Sequence, residues 1–117
     1  MRHYVIIALG SNSHQSAHIQ WASQRISYLL VNTRFTRTLW TPDIHGTGQM
    51  YMNRIVSGHT ILSLDTLEQE LKGIEAETGR SHNRVTIDLD LMQYDTVRYH
   101  LKDWPRPYIQ KLIPDIQ

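Results

Sequence analysis

Two aspartates within a run of apolar residues are the side chains of this sequence best suited to chemistry. Asp88 and Asp90 alternate with Ile87, Leu89 and Leu91. Successive side chains of a β-strand point to opposite faces, so we expect the carboxylates on one face and the aliphatic side chains on the other. Two ionised carboxylates this close repel each other, and a divalent cation that prefers oxygen ligands, such as Mg²⁺, relieves the repulsion.

Charged side chains precede this pair, and two of them are cations that suit a phosphate group. Glu75, Arg80 and Arg84 lie upstream of the two acids, and a guanidinium donates hydrogen bonds in a planar fork that matches phosphate oxygens. Taken alone, the D-x-D spacing is explained better by an edge strand with two solvated acids. The neighbouring cations favour a polyphosphate site with a metal ion.

Composition narrows the classes of protein to which the chain could belong. The 117 residues are 40% hydrophobic and 20% charged, with a formal charge of +1, as expected of one globular domain over residues 1–117. The small net charge argues against a nucleic-acid partner, and no apolar run reaches the roughly 20 residues of a membrane span. The absence of cysteine excludes disulfides and fits a reducing cytoplasm. The opening residues lack the layout of a signal peptide, so we expect a cytoplasmic protein.

Hydrophobic periodicity predicts alternating strands and helices along the chain. The predicted helices begin with candidate caps: Ser11, Asn12 or Ser13 for the first helix, and a capping box at Asp65–Glu68 for the second. The predicted elements are a strand at 4–9, a helix at 14–31, a strand at 33–40, a loop at 41–49, a strand at 51–61, a helix that ends at Gly79, a strand at 85–94 and a tail at 104–109 that leads into a short terminal helix.

The order of these elements, β-α-β-β-α-β, predicts an α+β sandwich of the ferredoxin-like type. In such a sandwich both helices cover one face of an antiparallel sheet, and a short C-terminal helix follows. The first and fourth strands are the most apolar and are expected side by side at the centre. The other face of the sheet is then free to carry a site.

Several motifs, in their order along the chain, resemble one enzyme family. They are Ala8-Leu9-Gly10-Ser11-Asn12, Thr41-Pro42, Tyr51-Met52-Asn53, Ile74-Glu75, Gly79-Arg80 and Ile87-Asp88-Leu89-Asp90-Leu91. The chain resembles the 6-hydroxymethyl-7,8-dihydropterin pyrophosphokinases of folate biosynthesis. The resemblance implies transfer of the terminal pyrophosphate of ATP to the hydroxymethyl group of the reduced pterin, with release of AMP.

The resemblance also implies which residues bind the nucleotide and its metal ions. Asp88 and Asp90 match the acids that hold two Mg²⁺ ions against the triphosphate, and Arg80 and Arg84 are expected to act with them in catalysis. The residues expected to contact ATP are Glu75, Arg80, Arg84, His100 and Arg106. His100 and Arg106 stand six residues apart, as a His/Arg pair of the family does.

Pterin binding is implied for residues in two other parts of the chain. Asn53 matches an amide that hydrogen-bonds the pterin edge, and an amide offers both a donor and an acceptor. Tyr51 shares the strand parity of Asn53, and Tyr108 matches an aromatic residue that stacks on the ring. The residues that match a loop closing over the pterin are Thr41, Asp43 and Ile44. Asp43 stands where a second proline is common, which predicts a less rigid loop.

The sequence departs from the family pattern just before the aspartate pair. The segment between Arg80 and Asp88 is several residues shorter, so the arginine- and tryptophan-bearing loop that covers the site in the family is largely absent. Val85 stands where the family has an arginine, and Arg84 lies one residue further away. A slip of one residue turns a strand side chain to the opposite face, so Arg84 reaches the site only if a bulge restores it.

These departures keep a second interpretation open. A non-catalytic ferredoxin-like module that binds a pterin, a nucleotide or another protein would explain the shortened loop, whereas Asp88, Asp90, Asn53 and Arg80 favour the enzyme. An RNA-binding module ranks third, because basic and aromatic residues do not alternate along the strands. The predicted partners are the reduced pterin and ATP, with neither nucleic acid nor membrane. The sequence does not determine the oligomeric state, and a monomer is one option.

Overall fold

The computed structural model describes residues 1–43, 45–81 and 84–117, and its strands form one antiparallel sheet. The strands are β1 (His3–Ser11), β2 (Val31–Phe35), β3 (Leu39–Pro42), β4 (Met50–Thr60), β5 (Asp88–Tyr94) and β6 (Val97–Arg98). The helices are α1 (Gln15–Ser27), α2 (Leu64–Glu77) and α3 (Pro107–Leu112), followed by a 3₁₀ turn at Ile113–Ile116. The sheet order is β2-β4-β1-β5-β6, and β3 pairs with the first part of β4. The predicted α+β, ferredoxin-like fold is confirmed, and β1 and β5 are adjacent, as expected for the first and last predicted strands.

One face of the sheet is covered by α1 and α2. Aliphatic side chains of β1 and β5, among them Val5, Ile7 and Leu91, pack there against Ile26 and Leu71 of the two helices. Alternate residues of β1 and of β5 thus build the core between the sheet and the helices, because alternate strand side chains share a face. The two helices lie on one side of the sheet, as predicted.

The opposite face is only partly free, which differs from the prediction. Its far end is covered by the C-terminal segment, whose Trp104, Ile109 and Leu112 pack on Ile6 and Ile55 of the sheet. The short terminal helix was predicted, but its docking on this face was not. The remaining part of the face, near the end of β1 and the start of β5, is where polar side chains gather.

The prediction of one strand over residues 33–40 was wrong, because the chain leaves the ladder between β2 and β3. There the hydroxyl of Thr36 accepts a hydrogen bond from the Ile55 N–H at 3.0 Å and donates to the Arg37 carbonyl. The Arg37 N–H then binds the carboxylate of Asp115, far along the chain, at 3.1 Å. Side chains therefore take the place of ladder hydrogen bonds at this break. The short strand β6 was not predicted.

The helix starts also differ from the prediction. His14, with φ of 44°, precedes α1, and none of the described side chains caps that helix, so the predicted caps Ser11, Asn12 and Ser13 are wrong. Ser63 caps α2 by accepting the Thr66 N–H, in place of the predicted box at Asp65. α1 ends at Ser27 rather than at residue 31, and α2 ends two residues before Gly79. Within the described part of the chain, every helix is too short or too polar to cross a bilayer.

Candidate active site

A cavity of about 200 Å³ opens on the free part of the sheet face, between the end of β1, the start of β5 and the C-terminal segment. It is comparable in size to a small heterocycle and smaller than the usual pocket for a drug-sized ligand. Its lining combines an apolar floor with polar and aromatic walls. The lining residues are Ala8, Leu9, Gly10, Thr41, Pro42, Asp43, His45, Tyr51, Asn53, Asp88, Asp90, Asp103, Arg106 and Tyr108.

Strand register brings the polar side chains of three strands together at Gly10. Gly10 of β1 lies opposite Asn53 of β4 on one side and Asp88 of β5 on the other. A Cβ at this position would lie 3.6 Å from Asn53 Oδ1 and 3.7 Å from a ring carbon of Tyr51. Since glycine has no side chain, the floor of the cavity between these groups stays open.

The two aspartates at the start of β5 share the open face, and their neighbours Leu89 and Leu91 are buried in the core beneath the helices. Burial, together with the negative charge of Asp88, raises the pKa of Asp90 from 3.8 to about 6. Its ionised form is therefore disfavoured without a compensating cation. Two carboxylates that repel each other at the rim of a cavity fit a divalent cation with oxygen ligands.

Arg80 and Glu75 connect the end of α2 to this pair. Arg80 Nη1 lies 3.1 Å from Asp88 Oδ1 and 3.5 Å from Glu75 Oε2. Glu75 Oε2 also accepts the Leu89 backbone N–H at 2.8 Å. Burial is the main cause that raises the pKa of Glu75, and the negative charge of Asp88 adds to it. Glu75 thus holds the start of β5 in place and orients Arg80, whose guanidinium neutralises Asp88.

The amide of Asn53 is oriented by its neighbours. Asn53 Nδ2 donates to the Leu39 carbonyl at 3.3 Å and to Thr41 Oγ1 at 2.8 Å. A carbonyl only accepts, so the NH₂ group must face Leu39 and the amide oxygen must face Gly10 and the cavity. Asn53 therefore presents an acceptor to a ligand, and the Thr41 hydroxyl is left to donate.

Asp43 organises the loop beside the cavity. Its carboxylate accepts hydrogen bonds from Thr47 Oγ1 at 2.5 Å and from the His45 N–H at 3.2 Å, and its own N–H binds the Gln49 carbonyl. The hydroxyl of Thr47, more than any other group, lowers the pKa of Asp43. Side-chain hydrogen bonds thus restrain the part of the loop where a second proline is common in the family, and the expectation of a less rigid loop stays a prediction.

The C-terminal segment forms the far wall of the cavity. Arg106 Nε donates to Asp103 Oδ1 at 2.7 Å, and His100 Nε2 lies 3.8 Å from Asp90 Oδ1. Tyr108 is half-buried, and burial is the main cause that raises its pKa. An aromatic face, a guanidinium, an imidazole and a carboxylate thus approach the aspartate pair from one direction.

A family model for 7,8-dihydro-6-hydroxymethylpterin-pyrophosphokinase (HPPK) matches residues 6–115. The chain belongs to this family. The match runs from β1 to the 3₁₀ turn and so includes every described element that contributes to the cavity. No curated protein sequence gives a significant match to the chain. HPPK family membership associates the fold with pyrophosphokinase activity, ATP, a pterin and Mg²⁺.

The structure brings most of the residues implied by the HPPK resemblance to one place. The implied residues that line the cavity are Thr41, Asp43, Tyr51, Asn53, Asp88, Asp90, Arg106 and Tyr108. Arg80, Glu75 and His100 adjoin it through their contacts with Asp88 and Asp90. Ile44 lies outside the described residues.

Arg84 is the implied residue that the structure turns elsewhere. Its Nε donates to Ser13 Oγ at 3.2 Å, in the segment before α1. Val85 forms backbone and side-chain hydrogen bonds with Asn12, so β5 begins only at Asp88 and not at residue 85 as predicted. No bulge within β5 brings Arg84 to the face of the aspartates, because the chain is not yet a strand there.

Three residues of the site were not given a role in that site by the sequence. Asn12 accepts the Val85 N–H at 2.8 Å and donates to Gln49 Oε1 at 2.9 Å, so it ties β1 to the loops on both sides. Gly10 keeps the cavity floor open, and Asp103 holds Arg106. The Gly10-Ser11-Asn12 motif after the first strand was a usable signal for the first two, whereas nothing in the sequence pattern distinguishes Asp103.

Proposed function

We propose that the chain is an HPPK that transfers the pyrophosphoryl group of ATP to 6-hydroxymethyl-7,8-dihydropterin. In this reaction the pterin hydroxyl oxygen forms a bond to the β-phosphorus, the bond from that phosphorus to the bridging oxygen of the α-phosphate breaks, and AMP leaves while the hydroxyl proton passes to solvent. The proposal covers residues 1–117 as one catalytic domain, with a cytoplasmic location typical of the family. It is supported most by the gathering of an oriented amide, a half-buried aromatic ring and the Asp88–Asp90 pair around one small cavity.

The cavity offers complementary groups to a pterin ring. The oxygen of Asn53 can accept a ring N–H, and the hydroxyl of Thr41 can donate to a ring nitrogen or carbonyl. Tyr108 offers an aromatic face for stacking, and Tyr51 forms part of the wall. The loop closed by Asp43, which includes Ile44, would complete the binding of the pterin.

The other side of the cavity suits a triphosphate. Asp88 and Asp90 would hold Mg²⁺, and the family pattern suggests two ions, which when bound neutralise charge on the phosphate oxygens. Arg80 would stabilise both Asp88 and a phosphate oxygen, with Glu75 fixing its position, and Arg106 would add a second guanidinium. We also assign phosphate contacts to Arg84 and His100, and Arg84 must then leave Ser13 when ATP binds.

Positioning is the main contribution of these residues to the rate. Phosphoryl-type transfer requires the attacking and leaving oxygens in line, and fixed binding groups lower the entropic cost of that arrangement. The pterin held by β4 and the triphosphate held by β5 would meet above Gly10. The cavity walls would also exclude water, which otherwise competes with the pterin hydroxyl.

The alternative of a non-catalytic binding module rests on one feature, the short segment between Arg80 and Asp88. Only residues 81–87 lie between them, and Arg84 contacts Ser13 rather than the cavity lining. Such a module would bind the pterin or the nucleotide but release no AMP.

Incubation with Mg-ATP and the reduced hydroxymethylpterin, followed by chromatography of the nucleotides, tests the proposal. We expect AMP and the pterin pyrophosphate in equal amounts, and no AMP when the pterin is omitted. The Asp88→Asn variant is the matched control, since it keeps the size of the side chain and removes one charge. If both substrates bind but no AMP forms, the chain is the non-catalytic binding module and not an enzyme.

A further inference from the structure

Asp103 brings a further carboxylate to the cavity, beside Asp90. Ligand atoms of Asp90, His100 and Asp103 all lie within 4.8 Å of one another. Ligands held by one ion at roughly 2.2 Å stand about 3 to 4.4 Å apart, so small side-chain movements would close these three groups around a cation. One imidazole nitrogen and two carboxylates form a donor set different from that of Asp88 and Asp90 alone.

Backbone structure fixes the relative positions of these three residues. Asp90 is part of β5, which pairs with β1 at Ala8. His100 has a positive φ of 53°, and its carbonyl accepts the Asp103 N–H at 2.9 Å, so both side chains project from one tight turn. A left-handed conformation is unfavourable for a residue other than glycine, which indicates that the surrounding structure holds the turn in place. The backbone therefore places the three side chains near one another, and small side-chain movements would complete the site.

We propose that Asp90, His100 and Asp103 form a binding site for a first-row transition-metal ion, for which Mn²⁺ serves as the paramagnetic probe. An imidazole ligand suits ions such as Fe²⁺, Ni²⁺ and Zn²⁺, whereas Mg²⁺ and Ca²⁺ prefer oxygen ligands alone. The site shares Asp90 with the magnesium pair and so deepens the proposed function. It differs from that pair in using a nitrogen ligand.

The site would also connect the metal to a phosphate-binding side chain. Asp103 Oδ1 accepts a hydrogen bond from Arg106 Nε at 2.7 Å. A carboxylate has two oxygens, so Asp103 can bind the ion with one oxygen and keep Arg106 with the other. Metal binding would then fix the guanidinium beside the aspartate pair, where the triphosphate is proposed to lie.

Titration of the nucleotide-free protein with Mn²⁺, followed by electron paramagnetic resonance, tests this site. We expect one Mn²⁺ ion to bind, with nitrogen coupling in the electron spin-echo spectrum. The variant His100→Ala should bind Mn²⁺ at least tenfold more weakly and lose the coupling, with less than a twofold change in Mg²⁺ affinity. Asp103→Asn should weaken Mn²⁺ binding by a similar factor, whereas Asp65→Asn, on the exposed start of α2, should leave it unchanged.

Asp88→Asn separates this inference from the proposed function. We expect it to stop AMP formation and to keep the nitrogen-coupled Mn²⁺ signal, because Asp88 is not a ligand of the site. If AMP forms in the wild type but bound Mn²⁺ shows no nitrogen coupling, the inference is wrong and Asp103 serves only to hold Arg106. If the coupling is present but no AMP forms, the metal site stands and the catalytic proposal fails. His100 is exposed, so its variant should fold even if Asp103→Asn does not.

Discussion

Removing the charge of Asp90 should stabilise the metal-free protein while abolishing its response to Mg²⁺. Burial and the charge of Asp88 raise the pKa of Asp90 from 3.8 to about 6, so the folded state holds the ionised carboxylate at a cost. Among the described residues, no side chain donates a hydrogen bond to this carboxylate, and His100 Nε2 is 3.8 Å away. Asp90→Asn therefore removes the cost without breaking a hydrogen bond.

The shift in pKa sets the size of the effect. One pKa unit corresponds to roughly 1.4 kcal/mol, so the change from 3.8 to about 6 gives a ceiling of about 3 kcal/mol in the free energy of unfolding. The Asp90 side chain is 32% exposed, and solvent screening reduces the contribution of such a group. We expect a gain of about 1 to 2 kcal/mol for Asp90→Asn after this discount.

The gain in stability of Asp90→Asn over the wild type should be larger at high pH than at low pH. Because the folded-state pKa is raised, the wild type loses stability as pH increases from about 4 to about 6, and the loss is complete above that range. Below about pH 4 Asp90 is protonated in both the folded and the unfolded states, and the two proteins should be equally stable in this respect. The advantage of Asp90→Asn should therefore appear between these limits and stay constant above them.

Urea unfolding in the presence of a chelator, at about pH 4 and about pH 8, measures this difference. Added Mg²⁺ should raise the stability of the wild type at about pH 8 but not that of Asp90→Asn, because binding of an ion to the folded state stabilises it. Asp88→Asn is the control on the same strand face: it also breaks the 3.1 Å contact with Arg80, so we expect a smaller gain or none. A variant Asp90→Asn that is less stable than the wild type at about pH 8, or a difference independent of pH, would refute the reasoning.

Three further predictions address the ligand contacts. Asn53→Ala should weaken pterin binding about tenfold or more, corresponding to roughly 1–3 kcal/mol for an unpaired polar group, with little change in Mg-ATP affinity by calorimetry; equal losses for both ligands would indicate damage to the fold. Gly10→Val should abolish pterin binding while Gly10→Ala is partly tolerated, since a Cβ meets its neighbours at 3.6 Å and 3.7 Å; melting curves should show both variants folded, and normal binding by Gly10→Val would place the pterin elsewhere. Arg84→Met should raise the KM for ATP about tenfold, the loss of one charge-assisted hydrogen bond, whereas Ser13→Ala should leave it unchanged; a silent Arg84→Met would mean that the guanidinium stays at Ser13.

The alternation of polar and apolar residues predicted on which face of the sheet each side chain lies. Leu89 and Leu91 reach the core beneath the helices, and Asp88 and Asp90 reach the other face, because the two-residue period of a strand is a local property. The period of the helices was equally informative for α1 and α2. Local rules therefore sufficed for the fold class and for the faces of the residues at the start of β5.

Features that depend on partners distant in the chain could not be predicted in this way. The break between β2 and β3 requires Asp115 to accept the Arg37 N–H, and the late start of β5 requires Asn12 to bind Val85. The capping of α2 was also mistaken, because Ser63 and Asp65 are both good caps and only the direction of the chain entering the helix decides between them. The docking of α3 on the sheet depends on tertiary packing in the same way.

The cavity lining carries more negative than positive charge, so cations are important for ligand binding there. Among the described residues, four carboxylates, those of Asp43, Asp88, Asp90 and Asp103, line it together with one guanidinium, that of Arg106. Such a lining repels an uncomplexed triphosphate, whose charge has the same sign, and attracts divalent ions. Arg80 neutralises Asp88 from outside the lining, which leaves the remaining acids in need of bound cations. The arrangement therefore favours the nucleotide as its metal complex, and it fits a reaction in which charge neutralisation and alignment of the phosphates take the place of covalent participation by the protein.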